Sequence, residues 1–237
     1  MKVSTYFKVV IIFILFTGSI TMYGQARVTT VKNGPNTELY LTRAVKAPTY
    51  NEVIGTPYLY DEFVPAKVNE IEITHFIRFN VFDNSIEFKG DNGIIYSMTK
   101  PNDYIIKLMD GSNKVYETHD FEKDKKEIGN TFFERIYDDG KFTLYLKEII
   151  EYTPEKLARN SFEINKPAKF IKTKGDYYFQ KLNSDTPVLL KLPKREKHFL
   201  KLFNDQATSV KGFIKKEGLH IEKEKDLIRI LQFYFAQ

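Results

Sequence analysis

The sequence predicts a mainly β protein: an antiparallel meander shaped as a roll, sandwich or half-barrel, carrying a C-terminal three-helix segment, α+β overall. Three observations predict it. Along Ile71 to Val81, Ile71, Ile73, Ile77, Phe79 and Val81 share one face while Glu72, Thr74, Arg78 and Asn80 share the other, the period-two pattern of a strand with one buried side. Turn-forming clusters recur at Asp83-Asn84-Ser85, Gly90-Asp91-Asn92-Gly93, Asp110-Gly111-Ser112-Asn113 and Asp138-Asp139-Gly140-Lys141. Such short connections join antiparallel neighbours and disfavour a parallel, Rossmann-like sheet. After Pro193 the apolar spacing changes to i, i+3, i+4, first at Phe199, Leu202 and Phe203, then at Val210, Phe213 and Ile214, and again through Leu227, Ile230, Leu231 and Tyr234.

The chain divides accordingly into residues 1–25 as a signal peptide, 26–192 as an antiparallel β domain, and 193–237 as a helical segment packed on it. Lys2 and Lys8 precede the apolar run Val9 to Phe16, and Thr17 to Gln25 forms a small and polar approach to a cut before Ala26, the three-part order of a secretory signal. An uncleaved anchor is the alternative, reached by extending the apolar run through Ile20. The chain has no cysteine. That excludes a disulfide framework, thiolate zinc sites, cysteine nucleophiles and a thiol-linked lipid anchor. An exported chain without disulfides relies on its core, for which 20 Phe and 15 Tyr supply large apolar areas suited to strands.

The formal charge is +5, and about +3 once Lys2 and Lys8 leave with the signal. From Lys191 onward there are 11 Lys or Arg against six Asp or Glu, so the body before this tail is slightly acidic. A basic end on an exported protein suits an acidic envelope surface, and equally the solvated face of a helix.

Taken in order, Lys32-Asn33-Gly34-Pro35 reads as a turn and Glu38 to Leu41 as a short edge strand. Gly55 to Pro65 mixes Tyr58, Leu59, Tyr60 and Phe63 with glycine and two prolines. Because proline donates nothing to a ladder, this stretch is expected along an edge or wrapped over the sheet, pinned by its aromatics, and a binding loop is the functional alternative. The hairpin of Ile71 to Phe88 follows, with Ile86 and Phe88 inward and Glu87 and Lys89 outward. Further strands are expected over Ile94 to Thr99, Tyr104 to Met109 and Val115 to Phe121, then an exposed loop from Phe121 to Asn130. Phe132 to Tyr137 and a long, bending Phe142 to Tyr152 form the next hairpin. Thr153-Pro154-Glu155-Lys156 has the order of a helix start, so a short crossover helix to Arg159 is expected. Ala168 to Thr173 and Tyr177 to Leu182 then make a hairpin about Lys174-Gly175-Asp176, and Val188 to Leu192 a final strand. In the tail, Asn204-Asp205 separates the first two helices, and Gly218 stands where a helix end wants a left-handed residue.

Chemistry is sparse. His75, His119, His198 and His220 lack metal-ligand spacing. His75 shares a face with Ile73 and Ile77 and reads as a core histidine, whereas His119 beside Asp120 reads as a charge pair. Ser112 sits in a turn without a nucleophile-elbow frame, glycines are too dispersed to cradle a phosphate, and the paired acids Asp138-Asp139 and Glu122 with Asp124 lie in turns. The reading is therefore no catalytic, cofactor-binding or metal-binding residue, and no cofactor. Lys201, Lys211, Lys215 and Lys216 interleave with Phe203 and Phe213, but these rings fall on the apolar helical stripe, leaving none to stack on bases; nucleic acid is excluded as partner. The candidate partner surface is Tyr58, Tyr60 and Phe63 together with Lys211, Lys215 and Lys216.

Gly55-x-Pro57-Tyr58-Leu59-Tyr60-Asp61-Glu62-Phe63, Arg78-Phe79-Asn80, Ile86-Glu87-Phe88, Phe199 to Phe203 and the Tyr-Gly-Gln-Ala junction resemble the uncharacterised secreted envelope proteins common in Bacteroidota. The resemblance implies a periplasmic or outer-membrane-peripheral address and no known activity. The function expected is that of a non-enzymatic exported binding or structural protein of the envelope, acting through contacts with an envelope protein or outer-membrane component. The alternative is a carrier of a lipid or other apolar ligand between curved sheet and helices, and the third reading is an envelope hydrolase.

Overall fold

The computed structural model describes residues 29–32, 38–44, 53–70, 73–89, 93, 95–98, 104–122, 128–160, 162–181 and 189–236. The expected signal peptide, the turn residues 33–35 and 90–92, and residues 123–127 of the loop expected over Phe121 to Asn130 lie outside the described residues, while the ends of that expected loop belong to strands.

The strands are β1 (Thr29–Lys32), β2 (Glu38–Ala44), β3 (Val64–Val68), β4 (His75–Asn80), β5 (Ser85–Lys89), β6 (Ile95–Met98), β7 (Ile105–Leu108), β8 (Val115–Glu122), β9 (Ile128–Asp138), β10 (Phe142–Thr153), β11 (Lys169–Lys181) and β12 (Leu190–Lys191). They form one antiparallel sheet in the order β1-β2-β6-β5-β4-β3-β7-β8-β9-β10-β11-β12. The ten strands from β3 to β12 curl into a half-barrel, with the β1–β2 hairpin added outside β6. The curl is visible in contacts between strands far apart in the sheet. Phe82, just after β4, lies 5.3 Å from the Phe170 ring of β11 and 6.0 Å from Tyr152 of β10. The Thr131 hydroxyl of β9 donates to the Asn84 side-chain oxygen in the β4–β5 turn.

The inside of the curl is lined by the predicted alternation. Ile77, Phe79 and Val81 are buried with Ile86, Phe88, Ile106, Tyr116 and Phe132, and Ile150 and Phe170 join them from the far side. Ile73, expected on the same face, lies before the strand begins and is exposed.

Several elements differ from expectation. Glu38–Ala44 is not an edge strand, because β1 pairs outside it. Val64 and Pro65, expected with Gly55 to Phe63 along an edge or over the sheet, instead open β3, which is central, between β4 and β7. Pro65 is tolerated there because it stands at the strand's start and contributes its carbonyl, which accepts the Met109 N–H at 2.7 Å. With β3 inserted between β4 and β7, β6 and β7 are not neighbours, so the central strands do not follow one another as a simple meander.

The crossover helix expected after Thr153 is absent among the described residues. β10 runs directly into an extended hairpin whose register continues from Thr153↔Lys169 to a bridge between Lys156 and Lys166. A helix of six residues is far below the length that sustains itself, and Leu157 has no core to dock on. Nor is Lys174-Gly175-Asp176 a turn, because β11 passes straight through it with a register shift against Lys147 and Ile149 of β10. A Cβ on Gly175 would stand 2.7 Å from the Lys147 carbonyl oxygen and 2.6 Å from a Leu146 methyl, so glycine is there for close approach at the bulge.

After β12 come α1 (Glu196–Leu200), a 3₁₀ segment (Lys201–Gln206), α2 (Ala207–Glu217) and α3 (Glu224–Phe235). Asn204 breaks the helical path at φ 44°, and Gly218 caps α2 in the left-handed region at φ 63°. Phe199, Phe203, Val210, Ile214, Leu227, Ile230 and Leu231 pack on Phe142, Leu144 and Phe179 of the sheet. Each such fully buried side chain stabilises the docking by about 1.5–3 kcal/mol. The opposite face of the sheet carries a third cluster, Phe121, Phe133, Tyr145, Tyr178 and Leu189.

Candidate binding surface

The candidate partner residues fall in two places. In the strap 53–63, Ile54 bridges Lys169 at the start of β11 and Tyr58 bridges Asn80 at the end of β4, so the strap ties the two sides of the curl together. Its rings turn onto the chain itself. The Arg78 guanidinium lies 3.7 Å from the centroid of Tyr58 and 4.6 Å from that of Phe63, and Arg78 Nη2 donates to the Tyr58 hydroxyl at 3.1 Å. Beneath this cover Arg78 pairs with its cross-strand neighbour Glu87 at 2.8 Å. Glu87, expected to face water, is only 1% exposed, because the strap covers the polar face of the β4–β5 hairpin. Tyr60 is half-buried against the core, beside Lys114 and Tyr116. Lys211, Lys215 and Lys216 stand exposed on α2 and enter no ion pair among the described residues.

The densest polar cluster lies on the outer face of β8, β9 and β10. Glu117 receives a hydrogen bond from the Tyr145 hydroxyl at 2.9 Å, sits 3.2 Å from His119 Nε2 and pairs with Arg135 at 3.0 Å. Burial alone raises the Glu117 carboxyl pKa, but the His119 and Tyr145 contacts and the Arg135 charge outweigh it and hold the group below its ordinary value. His119 therefore pairs with Glu117 and not with Asp120, whose carboxylate accepts from Asn130 at 2.8 Å. Adjacent strand residues point to opposite faces whereas i and i+2 share one, and that period was the available signal for Glu117. Each of these contacts to Glu117 comes from within the protein, so the cluster works as a buried charge network. His75 is buried against Phe88, burial lowers its pKa, and its Nε2 has no hydrogen-bond partner among the described residues.

At the junction of sheet and helices an open groove of about 340 Å³ is lined by Lys174, Lys194, Leu219, Ile221, Glu222 and Lys223. Ion pairs occupy its rim: Lys174 with Glu222 at 2.6 Å, and Lys194 with Asp176 at 2.8 Å. No group of three or more His, Asp or Glu suited to a metal ion occurs among the described residues, and no described helix is long and apolar enough to cross a membrane.

The most exposed apolar side chains among the described residues lie in and just beyond the segment expected as a helix to Arg159, of which only Leu157 belongs to that expectation. In the finger formed by residues 154–160 and 162–168, which extends the β10–β11 hairpin, Phe162 is 95% exposed, Ile164 84% and Leu157 63%. The finger is held by its own hydrogen bonds. Lys156 and Lys166 exchange both backbone bonds at 2.8 Å, Asn165 Oδ1 accepts the Ala158 N–H at 2.7 Å, and Asn160 Oδ1 accepts the Phe162 N–H at 3.0 Å. A sheet that buries so many rings elsewhere presents three bulky apolar groups to water here. The chain matches no family model, no curated protein and no solved structure.

Proposed function

We propose that the protein is exported and acts in the bacterial cell envelope as a non-enzymatic binding protein, with the finger 154–168 as its main contact surface. The observation that carries this reading is the display of Leu157, Phe162 and Ile164 on a hairpin with internally bonded backbone. The export part rests on the order of Lys2, Lys8, the Val9 to Phe16 run and the polar approach to Ala26, and on the resemblance to secreted Bacteroidota proteins. The packing of Phe142, Leu144 and Phe179 against Phe199 and Phe203 supports a binding role over a carrier, which requires an enclosed apolar cavity between sheet and helices. Lys211, Lys215 and Lys216 add an exposed basic face on α2.

The test is made in the native host, with a photo-reactive residue placed at position 162 and the protein recovered by fractionation. Processed protein in the envelope fraction, crosslinked through position 162 to an envelope component, is the expected result. Unprocessed protein in the cytoplasmic fraction, or envelope protein without adducts at the finger, overturns it.

A further inference from the structure

The finger identifies the chemistry of its partner by three features. The first is its set of exposed apolar side chains, Leu157, Phe162 and Ile164. The second is charge. Between Pro154 and Lys169 there are four bases, Lys156, Arg159, Lys166 and Lys169, and two acids, Glu155 and Glu163. All four bases are exposed and none forms an ion pair among the described residues. Lys156 and Lys166 stand directly opposite each other as a bridge pair, an arrangement in which like charges repel unless an anion from outside lies between them.

The third feature is the bonding of four backbone donors near the tip. The N–H groups of Ala158, Arg159, Phe162 and Glu163 donate to Asn165 Oδ1, Glu163 Oε2, Asn160 Oδ1 and the Asn160 carbonyl, at 2.7, 3.2, 3.0 and 3.2 Å. An unpaired backbone donor is costly in hydrocarbon, so each of these four bonds eases the removal of the tip from water. It also engages Glu163, the one acid between the two apolar tip residues, with a backbone donor. Lys166 is two residues from Ile164, roughly 7 Å at strand rise, which matches an apolar group buried about 5–10 Å below a headgroup layer.

We infer that the finger is an interfacial anchor for an anionic lipid surface: Leu157, Phe162 and Ile164 enter the acyl boundary while Lys156, Arg159, Lys166 and Lys169 meet acidic headgroups. This rests on the binding reading above and names its partner as lipid.

The chain contains no tryptophan, so Phe162→Trp places a single reporter at the tip. The full-length variant is mixed with vesicles of phosphatidylcholine containing about one-third phosphatidylglycerol, and separately with phosphatidylcholine alone. The expected result is a blue shift of emission and quenching by brominated acyl chains on the anionic vesicles, weakening as salt rises. Adding Lys156→Glu and Lys166→Glu lowers partitioning on the order of tenfold or more, because each basic residue near such a surface contributes about 1 kcal/mol. Both variants keep the thermal melt of the parent, since every altered side chain is exposed.

Emission that stays at the water-exposed value on anionic vesicles overturns the inference. So does a blue shift of equal size on phosphatidylcholine alone that survives the double reversal. If the tip remains in water on vesicles yet crosslinks to an envelope protein in the host, the lipid assignment fails and the binding reading stands. Unprocessed cytoplasmic protein removes the binding reading while leaving the vesicle result to be judged by itself.

Discussion

Truncating Phe79 tests which side of β4 faces the core, and Phe76 provides the control within the same strand. Phe79 is 7% exposed, with its ring 5.7 Å from both Tyr116 and Phe132 in edge-on contacts. These partners sit on β8 and β9, held by their own ladders, so the space left by Phe79→Ala cannot close by a small shift of one element. Loss of a buried phenyl group costs about 3–5 kcal/mol, and each edge contact adds roughly 0.5–1.5 beyond area, which places Phe79→Ala in the upper half of that range. Phe76 is 56% exposed and points to the opposite face, so Phe76→Ala should cost about 1 kcal/mol or less. In urea, with a slope of about 2–3 kcal/mol per molar, the two variants should be separated by about 1 M or more in midpoint. Phe76→Ala shifting the midpoint as far as Phe79→Ala would refute the assignment of faces and the curled core built on it.

Gly175→Ala should destabilise by about 1–3 kcal/mol or more, measured in the same urea titration, because the new methyl meets the Lys147 carbonyl, which cannot swing aside as a side-chain end can; a neutral result would mean that the bulge is absent in solution. Acid should unfold the protein through Glu117 and Asp176. Burial raises both pKa values, but the contacts from His119 and Tyr145 to Glu117, and from Lys191 and Lys194 to Asp176, lower them overall. A carboxylate with a depressed folded-state pKa stabilises above its unfolded value, and that stabilisation is lost as pH falls from the ordinary range of about 4 toward the folded-state value. Melting temperatures measured across that window should fall, and Glu117→Gln should flatten the slope while lowering stability at neutral pH; an unchanged slope would remove Glu117 from the account.

Local periodicity carried the fold class. The alternation of Ile77, Phe79, Val81, Ile86 and Phe88, the turn chemistry of Asp110 to Asn113 and Asp138 to Lys141, and the helical spacing of Phe199 to Tyr234 each depend on residues a few positions apart. Burial bears them out. In the turns, Asp110 accepts from Ser112 and Asp139 from the Lys141 and Phe142 N–H groups. Gly218 and Asn204 were legible for the same reason, since a left-handed or broken backbone position shows in the residue type itself.

Other features depend on what stands opposite. Gly175 resembles a turn glycine until the register of β10 brings the Lys147 carbonyl against it. Glu87 and Arg78 read as solvated charges, because only folding lays Tyr58 and Phe63 over them. Pro65 reads as an edge residue until β4 and β7 enclose its strand, and the Thr153-Pro154 helix start is overruled by the pairing of Thr153 with Lys169. By itself the sequence determined the alternating faces of β4 and β5, the turns at Asp110 to Asn113 and Asp138 to Lys141, and the amphipathic helices, since each is written in neighbouring side chains. The tertiary structure alone decided strand order, the curl, the strap's closure from β4 to β11 and the exposure of Phe162 and Ile164. Contacts between residues many positions apart, and the lack of them at the finger, are set by packing and register and leave no period in the chain.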